Sequence, residues 1–150
     1  VFIGLSCDVP DISWLYVPDE KTGLFNRISF PSNYSTEVAP RDHSSILAEI
    51  TYNEGDAVSR MTDAELIEHT VASLAAAGFI PSRESVVYTG VSREKFAYVV
   101  YDTEYKKNIG IVREFCRERG IDLVGRFSQF EYLNMDGCIR SAIDFVRGYP

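Results

Sequence analysis

The chain has 150 residues, 45% of them hydrophobic, and a formal charge of −7. That length suffices to bury a core, and the acidic balance argues against nucleic acid as the main partner, because phosphate binding needs a basic surface. No apolar run approaches the roughly 20 residues that cross a bilayer. Cys7, Cys116 and Cys138 are odd in number and widely spaced, so neither a disulfide framework nor a zinc pattern follows. Reduced thiols packed in or near a core, in a cytoplasmic protein, are the expectation.

The first half reads as antiparallel strands. Val1 to Ser6 is an apolar run of strand length. Ser13 to Val17 and Leu24 to Phe30 flank the turn-rich Asp19-Glu20-Lys21-Thr22-Gly23 and predict a hairpin. Pro31 to His43 holds Ser, Asn and two prolines and predicts a loop. Ser45 to Tyr52 predicts a further strand. Thr62 with Glu65 three residues on is a capping box. Leu66, Ile67, Thr70, Val71 and Leu74 then form one helical face, and Gly78 stops the helix. Ser85 to Val91 and Phe96 to Tyr101 predict strands around a Ser92-Arg93-Glu94-Lys95 turn. Asp102 or Thr103 is expected to cap a helix carrying Ile109, Val112, Phe115 and Cys116, ended by Gly120. Ile121 to Val124 predicts a short strand. A last helix opens at Met135 or Asp136, with Ile139, Ala142, Ile143 and Val146 as its apolar stripe. The order predicts an α+β fold with a mostly antiparallel sheet and three helices.

The stretch from Gly125 to Gly137 is the strongest candidate for a built site. A glycine lets backbone approach a ligand, and Arg126 offers a planar guanidinium able to fork onto phosphate oxygens. The helix start at Asn134, Met135, Asp136 and Gly137 adds unpaired N–H groups and partial positive charge. An anionic or electron-rich cofactor suits that place. The competing reading of Arg126 is a surface ion pair with Glu131. Asn134 and Asp136 are also ordinary helix caps, and Met135 an ordinary core residue. Tyr132 is either a ligand contact or a half-buried ring.

A second constellation lies on the hairpin. Trp14 and Tyr16 share one face of a strand, and Phe25, Arg27 and Ser29 share a face of the next. Paired on one side, they make an aromatic face with one arginine, suited to a ring-bearing or phosphorylated ligand. The alternative is a sheet packed on a helix with Arg27 reaching to solvent. His43, in a loop, and His69, beside Glu68 on a helix and expected to be solvated, carry no catalytic grouping. No spacing of His, Cys or carboxylates marks a metal site.

The run Gly125-Arg126 through Asn134-Met135-Asp136-Gly137 resembles the C-terminal flavin-contacting motif of the FAD-dependent amine oxidase superfamily, which includes protoporphyrinogen-oxidase-like proteins and UDP-galactopyranose mutase. The resemblance extends to Phe25–Ser35 and to Ser44–Tyr52. It implies FAD as cofactor, facing Gly125, Arg126, Asn134, Met135, Asp136 and Gly137, with Tyr132 against a substrate diphosphate. The mutase pattern often has a further tyrosine where this chain has Phe130. Substrate contacts by Arg27, Trp14 and Tyr16 fit the same picture.

The Gly-x-Gly-x-x-Gly turn that opens such flavoproteins does not occur here. The expectation is therefore a fragment of a two-domain FAD-dependent oxidoreductase. Residues 1–120 would belong to its substrate domain, and residues 121–150 would be the closing strand and helix of its FAD domain. The parent activity would be oxidation of a ring-bearing small molecule or isomerisation of a nucleotide sugar. No residue is assigned catalysis. A non-catalytic α+β binding or interaction domain is the alternative from another class. Cut from its FAD domain, the fragment's last helix would bury its stripe by folding back or by pairing with a second copy.

Overall fold

A computed structural model describes residues 1–148. The chain divides into two compact units, Val1–Arg93 and Glu94 onward. This division falls ahead of the functional boundary expected at residue 120.

The first unit is an antiparallel sheet covered on one face by a helix. Its strands are β1 (Phe2–Leu5), β2 (Trp14–Tyr16), β3 (Arg27–Ser29), β4 (Ser44–Glu49) and β5 (Val86–Gly90), in the spatial order β2-β3-β4-β1-β5. Every neighbouring pair is antiparallel. The register opposes Ile3 to Ile46 and Ile28 to Ala48, so these residues share one face with Leu5. That face is the core, where all five are essentially buried.

Helix α1 (Asp63–Ala76) closes this core with Leu66, Thr70, Val71 and Leu74. Its start is the predicted capping box. Thr62 Oγ1 accepts from the Glu65 N–H at 3.2 Å, and the Glu65 carboxylate accepts from the Thr62 N–H at 2.7 Å. These bonds hold the Glu65 carboxyl below its ordinary pKa. The cap's contribution is therefore present at neutral pH and is lost as pH falls through that lowered value. Thr62→Ala is expected to cost about 1 kcal/mol, read as a lower urea midpoint with unchanged slope; an unchanged midpoint would show that the box contributes nothing. The helix ends at Gly78, whose φ of +77° suits glycine, and the Phe79 N–H donates back to the Leu74 carbonyl at 2.9 Å.

The second unit contains α2 (Tyr105–Glu118) and α3 (Met135–Gly148). The α2 cap is Glu104, without a side-chain cap bond, rather than Asp102 or Thr103. Asp102, two residues before the cap, accepts from the Glu104 N–H at 3.0 Å. Gly120, at φ +66°, turns the chain at the C-terminus, and the Ile121 N–H donates to the Cys116 carbonyl at 2.9 Å.

Two predicted strands are absent. Residues 96–101 and 121–124 are irregular, with no ladder partner among the described residues. Of the predicted α2 face, only Ile109 is buried; Val112 and Phe115 are exposed. On α3 the predicted stripe also stays out, with Ile139 61% and Val146 69% exposed. The less exposed side of α3 instead carries Gly137, Cys138 and Ser141, and Ser141 Oγ bonds Gln129 Oε1 at 3.1 Å. No described helix is long and apolar enough to cross a membrane.

Candidate functional site

Arg126 is positioned by a compact loop between α2 and α3. Gly125 begins it at φ +90°, a conformation that favours glycine, and nothing lies within 4 Å of where its Cβ would stand. The loop then folds on its own backbone. Gln129 N–H donates to the Gly125 carbonyl and Glu131 N–H to the Arg126 carbonyl, both at 3.0 Å. Phe130 takes a left-handed φ of +53° to complete the turn.

This turn places the Arg126 guanidinium against three rings. Its carbon lies 4.3 Å from the Tyr132 ring centre, 5.5 Å from that of Tyr98 and 5.8 Å from that of Phe127. The Tyr98 and Tyr132 rings are nearly parallel, 10° apart in plane with centres separated by 6.5 Å. One guanidinium nitrogen donates to the Leu133 carbonyl at 3.1 Å. Among the described residues no carboxylate pairs with Arg126. The competing ion pair with Glu131 is not made, because Arg113 takes Glu131 at 2.6 Å and also donates to the Gln129 carbonyl. A positive charge with most of its five N–H donors unspent therefore sits on an aromatic platform.

The helix start expected to face a cofactor follows directly. The first bond of the α3 ladder runs from the Cys138 N–H to the Asn134 carbonyl at 2.9 Å, so the N–H groups of Met135, Asp136 and Gly137 precede it. Met135 is 85% exposed, which removes it from any core role within this unit. Beside the arginine, an apolar cavity of about 530 Å³ opens within the second unit, lined among others by Tyr98, Tyr105, Ile109, Phe127 and Phe130.

On the first unit, Trp14 and Tyr16 are half or more exposed and meet edge to face at 5.1 Å. The register sets Tyr16 opposite Arg27 and Trp14 opposite Ser29, so the four share the sheet face away from α1. Phe25 does not join them. The chain leaves strand geometry at Asn26, and Phe25 turns into the core at 1% exposure. Arg27 does not extend into solvent either. Glu49 lies opposite it in the register and takes it bidentately, at 2.8 and 2.6 Å.

The histidines have structural places. His69 is half-buried rather than solvated, and its Nε2 accepts from the Leu24 N–H at 3.2 Å, tying the β2–β3 connection to α1. His43 is exposed, with Nδ1 2.9 Å from the Arg41 carbonyl. Cys7, Cys116 and Cys138 are free thiols, all partly buried. Among the described residues no group of three or more His, Cys, Asp or Glu could hold a metal ion.

Sequence reasoning missed three tyrosines of the arginine cluster. Tyr98 provides the second ring. Tyr101 and Tyr105 meet edge to face at 4.6 Å, and their hydroxyls reach the 130–132 backbone. Partial desolvation, then the neighbouring Tyr101 and Glu131, hold the Tyr105 phenol above its ordinary pKa. No spacing marks them, because Tyr98 and Tyr101 lie in an irregular segment and only Tyr105 is on α2.

A crystal structure of reduced UDP-galactopyranose mutase is similar to this chain, with a TM-score of 0.79 and 24% identity over 98% of this chain and 32% of that chain. The chain thus spans about a third of that protein's length. At this identity the likeness establishes a shared fold. No protein-family model matches the chain, and no curated protein matches it in sequence.

Proposed function

We propose that this chain is the substrate-holding part of an FAD-dependent protein acting on a nucleotide sugar, with Arg126 and Tyr132 meeting the ligand's diphosphate. The observation that carries this reading is the Arg126 guanidinium, stacked on Tyr132 and Tyr98 and unmatched by a carboxylate among the described residues. The fold shared with UDP-galactopyranose mutase supports it. On the first unit, taken by itself, Trp14 and Tyr16 present exposed rings and Arg27 is held by Glu49, so that face offers its own place for a ring-bearing ligand.

The residues around the α3 start fit one end of a flavin. Gly125 leaves open space where a side chain would stand, and the N–H groups of Met135, Asp136 and Gly137 precede the helical ladder, next to Asn134. When bound, FAD would supply the electron chemistry. This chain's residues would orient the ring edge and the substrate. On this reading residues 1–120 belong to the substrate domain and residues 121–150 to the flavin-facing segment.

A second reading, oxidation of a ring-bearing apolar substrate, is favoured by the apolar lining of the cavity beside Tyr98 and Phe127. One titration separates them. UDP and UDP-galactose are expected to bind saturably in calorimetry, with both affinities reduced in Arg126→Ala. No heat from either nucleotide, together with a shifted absorption band on adding a porphyrin, would instead select the oxidase reading.

A further inference from the structure

The two tyrosines on either side of the α2 start, Tyr101 and Tyr105, spend their hydroxyls on backbone. The Tyr132 N–H donates to Tyr101 Oη, and Tyr105 Oη donates to the Phe130 carbonyl. Their rings also meet edge to face, with centres 4.6 Å apart. Both polar ends of the Phe130–Tyr132 segment are thus tied to one tyrosine pair, 31 and 25 residues away in sequence. That segment contains the left-handed Phe130 and carries the ring nearest the Arg126 guanidinium. The hydroxyls of Tyr98 and Tyr132, by contrast, have no protein partner among the described residues.

We propose that Tyr101 and Tyr105 are positioning residues for the Arg126 cluster: their hydroxyls clamp the backbone of Phe130 to Tyr132 and so hold the Tyr132 ring beneath the guanidinium. As a device serving ligand binding, the clamp rests on the reading that Arg126 and Tyr132 meet a diphosphate. The division of labour within the four tyrosines is then explicit. Tyr98 and Tyr132 present rings and free hydroxyls to the site, and Tyr101 and Tyr105 set where those rings lie. Without the clamp, the 130–132 segment keeps its own short turn and the Arg113 contacts to Glu131 and to the Gln129 carbonyl, none of which touches the Tyr132 ring, and the ring samples several rotamers.

The test uses Tyr101→Phe, Tyr105→Phe and the double variant of the full chain, with Tyr132→Phe and Tyr132→Leu as references. A proton above an aromatic face is shifted upfield, so the Arg126 Nε–H resonance reports ring position without any ligand. In Tyr101→Phe and the double variant it is expected to move toward its place in Tyr132→Leu, while Tyr132→Phe, which keeps the ring, leaves it in place. The amide resonances of α2 and the melting temperature should stay unchanged. UDP affinity, measured by calorimetry, is expected to fall roughly five- to tenfold, the scale of one lost hydrogen bond. An Arg126 resonance unmoved in the double variant overturns the inference, whatever the ligand does. Unaltered UDP binding by Arg126→Ala would instead sink the diphosphate reading, and the ring-current result would still decide the clamp.

Discussion

Arg126→Ala is expected to weaken binding of a diphosphate ligand by about tenfold to a hundredfold, with little loss of fold. A hydrogen bond to a charged group contributes roughly 1.5–3 kcal/mol, and each ~1.4 kcal/mol is a factor of ten in affinity. The stability cost is read separately, from the thermal melt. Among the described residues Arg126, itself partly buried, makes one hydrogen bond, to the Leu133 carbonyl, and otherwise rests on ring faces. Arg126→Lys separates charge from shape. It keeps the cation but loses the planar fork, so it should fall between the parent and the alanine variant. Calorimetric titration with UDP beside a thermal melt of each variant is the measurement. Affinity lost only in proportion to melting temperature would mean that Arg126 is a structural prop, and undiminished affinity would remove it from the site.

Features set by near neighbours in sequence were legible in it. The Thr62-x-x-Glu65 box needs only one turn of helix, and both of its bonds are made. The β2–β3 hairpin follows from alternation on either side of its connection, and its pairing sets Trp14, Tyr16, Arg27 and Ser29 on one face, without the Phe25 that the expected aromatic face included. Failures came where a residue's role depends on distant partners. Phe96 to Tyr101 has strand composition, but β-propensity measures fit to a half-buried pleated surface, and Phe96 and Val100 are about four-fifths exposed with no neighbouring strand. The same absence of a partner undoes Ile121 to Val124.

The site shows the same limit. Arg126 and the nearby Glu131 invite an ion-pair assignment, but Arg113, from α2, reaches the carboxylate instead. Tyr98 joins the cluster from 28 positions upstream of Arg126, a separation across which no periodicity operates. Arg27 and Glu49 are likewise 22 apart and meet only because β3 and β4 pair in that register. The motif therefore identified where the arginine lies, and the tertiary structure identified what surrounds it.

Phe25→Ala is expected to have the largest effect on stability in the first unit. Phe25 is 1% exposed and belongs to the core that joins the sheet to α1. Truncating a buried phenylalanine costs about 3–5 kcal/mol, the lost transfer energy plus the cavity left behind. Against a total of ~5–15 kcal/mol for a typical domain, that leaves the unit marginal. Relaxation into the cavity is hindered by its surroundings. A Cβ built on Gly23 would stand 2.7 Å from the Phe25 ring and 3.0 Å from Ser73 Cβ on α1, so ring, turn and helix are already in close contact. The same closeness predicts that Gly23→Ala alone destabilises by overpacking, by about 1–3 kcal/mol. The double change should cost less than the sum of the two, because the new methyl enters the space the ring vacates. Trp14, on the same unit and the only tryptophan, follows unfolding in urea. With slopes of ~1–3 kcal/mol per molar, Phe25→Ala should lower the midpoint by at least about 1 M. A drop well below that, or strict additivity in the double variant, would show that Phe25 and Gly23 are not packed against each other in solution.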